Sequence, residues 1–73
     1  MNELIYESDE ICLYFSYCLW EFIIQRSISD CHPISYEKLI EEINKIPDWS
    51  EAQKRHAIIH FGKKAGILTE EIA

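Results

Sequence analysis

From Ile11 to Ile24 the chain reads ICLYFSYCLWEFII, fourteen positions of which only Ser16 and Glu21 are plainly polar. Set on a helix, Glu10, Tyr14, Tyr17, Cys18, Glu21 and Gln25 gather into one semi-polar stripe, and the remaining arc of about 220° is dry. That is twice the ~100° stripe an ordinary surface helix buries. The pattern predicts a helix over about residues 9–27 that is partly core and partly subunit interface, with Phe15, Leu19, Phe22 and Ile23 on the covered side. A strand is the weaker reading, because the run exceeds the usual length of roughly four to eight residues and shows no period-two alternation.

Ser8, Asp9 and Glu10 suit the start of this helix, since a hydroxyl accepts an orphan amide and acids complement the positive helix end. Residues 27–35, SISDCHPIS, read as a connecting loop. A second helix is expected over about 36–46, where Tyr36, Leu39, Ile40 and Ile43 recur at helical spacing and Pro47 ends it. A third is expected over about 50–65, opened by a capping box at Ser50 and Gln53 or at Asp48 and Glu51. Gly66 supplies its left-handed C-cap, and the tail from Thr69 is expected to fray. The reading is a small all-α, three-helix domain filling 1–73, assembling as a helical homodimer.

A chain of 73 residues is one domain whose core is marginal without disulfides, a metal or self-association. Cys12, Cys18 and Cys31 make an odd count, and two of them sit in the apolar run, so disulfides are not expected. A fourteen-residue helix spans about 21 Å, short of a ~30 Å hydrocarbon layer. Glu7, Asp9 and Glu10 carry the wrong charge for a secretory leader, so a cytoplasmic location and no membrane contact are expected. The net charge of −6 is uneven: residues 1–30 hold six acids against Arg26, whereas 48–66 hold Lys54, Arg55, Lys63 and Lys64 against Asp48 and Glu51. The acidic half disfavours DNA and anionic lipid and favours a basic protein partner.

The candidate chemistry is sparse. His56 and His60, one turn apart, with Cys31 and His32 from the loop, have ligand chemistry for zinc, but no paired cysteine knuckle accompanies them. The residue after His56 is Ala57, which excludes the zinc-protease helix motif. Cys31 is the one cysteine exposed enough to be a nucleophile, yet its sequence neighbour His32 is poorly placed as its base. No glycine-rich phosphate loop exists. An enzyme, a metal and a cofactor are therefore not expected. The third helix carries the more informative surface: Trp49, Gln53, His56, His60, Lys63 and Lys64 fall within about 100° of its circumference. Such a face meets acidic groups, and histidine makes the contact sensitive to pH near neutrality.

The stretch from Ser35 to Leu68, with ISYEKLIEEI, a PDWS turn, EAQKRHAIIHFGKK and AGIL, resembles a helix-turn-helix leading into a wing. In winged-helix domains the second of these helices enters the major groove. Residues 17–65, ending in a helix that opens SEAQKRHAII with Glu51, His56 and Ile59, resemble the small enterobacterial biofilm and acid-resistance regulators of the two-component-system connector family. That resemblance implies a small all-helical dimer that modulates signalling. The expected function is a non-enzymatic regulatory protein acting by protein–protein interaction, dimeric through its first helix; the alternative is a DNA-binding regulator of helix-turn-helix type using the third.

Overall fold

Serine hydroxyls set the punctuation of the N-terminal half. The computed structural model describes residues 1–68; the tail from Thr69, expected to fray, lies outside the described residues. Ser8 Oγ accepts from the amides of Glu10 and Ile11 (both 3.2 Å), Ser16 Oγ from Leu19 (3.3 Å) and Ser27 Oγ from Asp30 (3.1 Å). Each bond closes a turn between strands. The strands are β1 (Asn2–Glu7), β2 (Cys12–Ser16), β3 (Glu21–Gln25) and β4 (Cys31–Ile34), and they form one antiparallel sheet in sequential order.

The all-α, three-helix expectation is overturned: the chain is α+β, and the helix expected over 9–27 is two strands and the turn between them. The physical reason lies in β2 and β3, which are the interior strands. Leu13 pairs with Ile24 and Phe15 with Phe22 on one face, while Tyr14 pairs with Ile23 on the other. Phe22, Ile23 and Ile24 are all buried, so β3 has dry residues on both faces and the alternation that marks a strand is erased. The four residues Tyr17–Trp20 that reverse the chain are themselves large and mostly apolar, so no glycine, asparagine or proline interrupts the run.

Phe15 is the hub of this unit. Its ring meets Tyr17 (5.2 Å, 89°) and Trp20 (5.1 Å, 78°) edge-on and Phe22 at a tilt (5.1 Å), and Phe22 continues to Tyr36 (5.9 Å). A bulge at Leu4–Tyr6 shifts the register of β1, and Ile5 within it is buried. Pro33 lies on the edge strand β4, where a missing amide costs no ladder bond.

Met1–Tyr36 form one compact unit and a second begins at Glu37. In the second, α1 (Tyr36–Asn44) buries Leu39 and Ile43 completely, and Ile46 just beyond it is also buried. The buried carboxylate of Glu42 sits 3.2 Å from Lys38 and 3.9 Å from Lys45. α2 (Glu51–Lys64) opens with the capping box at Ser50: its hydroxyl accepts from Gln53 N (3.2 Å), and Gln53 Oε1 accepts from Ser50 N (2.7 Å). It closes on Gly66 at φ 81°, with Gly66 N donating to Lys63 O and Ile67 N to Gly62 O, the double bond of a Schellman cap. Among the described residues no strand follows α2, so the wing of a winged helix does not form there. No helix among them is long and apolar enough to cross a membrane.

Candidate functional site

α2 turns a narrow side inward and a broad side outward. Ala57, Phe61 and Gly62 are buried, whereas Ala52, Arg55, His56, Ile59, His60 and Lys63 are exposed. At 3.6 residues per turn these form two adjacent ridges: Arg55, Ile59 and Lys63 on one, Ala52, His56 and His60 on the other, continued by Lys64. The His56 and His60 rings stack with centroids 5.9 Å apart and planes 14° from parallel. His60 also stands edge-on to buried Phe61 at 4.9 Å, which fixes its orientation from beneath.

The outward side is furrowed rather than flat. Trp49, Gln53, His56 and His60 border an open depression of about 510 Å3 floored by Ala57 and Phe61. Arg55, His56, Ile59, His60 and Lys63 border a neighbouring one of about 400 Å3. Lys64 joins His60, Lys63 and Leu68 around a third. Of the six residues singled out on the third expected helix, Trp49, which precedes α2, and Gln53 share a depression with His56 and His60, while Lys63 and Lys64 share another with His60, the one residue common to all three depressions described. Gln53 carries a second duty, since its Oε1 is held by the capping box.

Two further residues on this face, Arg55 and Ile59, were not among the partner-binding residues expected from the sequence. Their signal in the sequence is the four-residue step from Arg55 through Ile59 to Lys63. From Ala52 to Lys64 the helix has no acid, and Glu51 lies 3.7 Å from Lys54, whose Nζ also donates to Asn44 O (3.1 Å). The face is therefore cationic, with an exposed isoleucine and an aromatic at its border.

The other residues expected to act together do not share one surface. Phe15 and Phe22 are cross-strand partners on one face of the sheet, Ile23 faces the other side, and Leu19 lies in the turn at 64% exposure. The helical dimer face expected through Phe15, Leu19, Phe22 and Ile23 does not exist, because a strand turns successive residues to opposite sides. For the same reason Cys31 and His32 point apart: Cys31 pairs with Gln25 and His32 with Ile24. His32 Nδ1 is 3.3 Å from Asp30 instead. Among the described residues no three His, Cys, Asp or Glu side chains come together to hold a metal ion.

Glu7, Cys12, Gln25 and Cys31 form one row across all four strands. Burial first, then the Glu7 carboxylate and the Cys31 thiol two strands away, push the Cys12 thiol above its ordinary value, the opposite of the lowering that activates a thiolate. Cys31 Sγ shares a hydrogen bond with the Tyr14 hydroxyl (3.5 Å), and this bond, aided by burial, raises Tyr14 as well. No family model matches the chain, and no curated protein and no solved structure matches it.

Proposed function

We propose that this chain is a small, cytoplasmic, non-catalytic regulatory module that works by seating an acidic, amphipathic segment of a protein partner on the outward side of α2. The observation that carries this reading is the acid-free face from Ala52 to Lys64, where Arg55, Lys63 and two imidazoles surround exposed Ile59 and open depressions. Cations ringing an apolar floor suit a segment that presents carboxylates around one or two large side chains. A module of this kind acts on a signalling or transcription pathway by occupying a partner's surface.

A specific observation also favours a second reading. α1, a short connection and the cationic α2 succeed one another in the order of a helix-turn-helix, with α2 in the place of the helix that enters the major groove. The net charge of −6 weighs against it, because phosphate attraction grows with net positive charge.

Titration of isotope-labelled protein with a synthetic acidic amphipathic peptide built from Glu, Leu and Phe separates the two. The proposal expects amide shifts confined to residues 52–64, lost when Arg55→Glu and Lys63→Glu are combined. Absence of those shifts ends it. A duplex DNA that shifts the same amides, with affinity falling steeply in salt, would transfer the site to the second reading.

A further inference from the structure

We infer that the segment seated on α2 is the β2–β3 turn of a second copy of this chain. The inference rests on the docking role proposed for α2 and names its occupant. At that turn Leu19 is 64% and Trp20 55% exposed, Cys18 is exposed, and Met1, at 89%, adjoins them, its amino group 3.6 Å from Cys18 Sγ and its carbonyl accepting from Tyr17 N. Leu19, Trp20 and Met1 thus make an exposed, mainly apolar knob, and clustered exposed apolar residues on small proteins commonly mark interaction sites.

The knob is held rigidly. Trp20 takes φ 57°, a left-handed conformation costing about 1 kcal/mol or more for a residue with a Cβ. Its ring is braced edge-on against Phe15 (5.1 Å) and Tyr17 (6.1 Å), so the aromatic cluster bears that strain. A pre-ordered tryptophan loses little freedom on docking, the property that distinguishes anchor residues at interfaces.

Charge selects the occupant. Two carboxylates belong to the knob's end of the sheet: Glu21 directly succeeds Trp20, and Glu3, in register with Phe15, accepts from the Tyr17 hydroxyl. The face opposite would be α2, with Arg55, Lys63 and Lys64 and no acid beyond Glu51, and with a depression floored by Ala57 and Phe61 to take an apolar side chain. Every copy therefore carries one knob and one socket, and the association is heterologous.

Sedimentation of the full chain over a concentration series into the hundreds of micromolar tests this directly. The wild type should gain mass with concentration and lose it as salt is raised to about 1 M, where the Debye length is ~3 Å. Leu19→Glu, at an exposed turn position away from the Phe15 ring, should weaken association about tenfold or more, and so should Arg55→Glu with Lys63→Glu. Mixing those two variants should restore a complex, and one that stops at two chains, because only one intact knob and one intact socket remain. Circular dichroism establishes that both variants are folded.

A wild type that stays monomeric throughout, association indifferent to Leu19→Glu, or a mixture that forms nothing would each overturn the inference. If the monomeric wild type still binds the acidic peptide on residues 52–64, the docking role of α2 stands and only the occupant is wrong. If it binds neither, both fall.

Discussion

Replacing Phe15 and Leu19 separately by alanine distinguishes the sheet from a helix over the same residues. On a helix the two are four positions apart on one covered face and their truncations cost comparable amounts. In the sheet Phe15 is 0% exposed and contacts three other rings, whereas Leu19 is 64% exposed in a turn. Phe15→Ala should cost about 3–5 kcal/mol, toward the upper end because each edge-on ring pair adds ~0.5–1.5 kcal/mol beyond burial. A chain of 73 residues has in total about 4–11 kcal/mol to lose. Leu19→Ala should cost no more than about 0.5 kcal/mol. With a urea slope near 1 kcal/mol/M for so small a domain, the midpoints differ by about 3 M. The assay is urea unfolding monitored by far-ultraviolet circular dichroism and tryptophan fluorescence, at concentrations low enough to keep the chain monomeric. Phe15→Leu, which retains most of the volume, serves as the graded control if Phe15→Ala is wholly unfolded. A Leu19→Ala cost above about 2 kcal/mol, or a Phe15→Ala cost below about 1 kcal/mol, would refute the reasoning.

The remaining expectations concern caps, charge and protons. Ser50→Ala removes the hydroxyl of the capping box and should cost about 1 kcal/mol, with amide exchange accelerated at Gln53; unchanged exchange there would deny the cap its role. Lys38→Ala strips the nearer cation from the buried Glu42 carboxylate and should cost on the order of 1–2 kcal/mol, a loss that Glu42→Leu in the same chain should largely restore. Cys12, Tyr14 and Tyr36 all hold their protons more tightly folded than unfolded, Cys12 and Tyr36 chiefly through burial and Tyr14 through its bond to Cys31. Their contribution is complete below the ordinary thiol value of 9.0 and is lost as pH rises through the folded values, so melting temperature should fall on the alkaline side. Alkylation by iodoacetamide should proceed at Cys18 and Cys31 well ahead of Cys12; equal rates for all three would contradict the raised Cys12 thiol.

The two helices were legible because their signals are local: an apolar step of three and four residues in Tyr36, Leu39, Ile40 and Ile43, a capping box at Ser50, and a left-handed glycine at position 66. The sheet was hidden by a coincidence of local chemistry. Ser8, Ser16, Ser27 and Ser50 all accept the amide three residues ahead, yet the first three close turns and only the fourth opens a helix. That bond organises the chain reversal common to both, and the residues on its C-terminal side decide between them. After Ser50 come Glu, Ala, Gln and Lys, good helix formers. Around Ser8 and Ser16 stand Ile, Tyr, Phe and Trp, residues that lose side-chain freedom in a helix and fit a pleated surface. Reversal serines at positions 8, 16 and 27, a spacing near that of successive short strands, were the remaining clue. The hydrophobicity of 11–24 is thus plain in the sequence and its period is not: an interior strand buried on both faces has no alternation to show, and a turn built from Tyr17, Cys18, Leu19 and Trp20 conceals where one strand stops. The same distinction governs the candidate surfaces. Spacing on α2 has the helical period, so the shared side of His56, His60 and Lys63 is readable from their positions alone, whereas Trp49 precedes the helix and its place is not. Leu19 was expected in a core because a helix would have placed it there, whereas a hairpin delivers it, with Trp20, to the tip where another molecule can reach it.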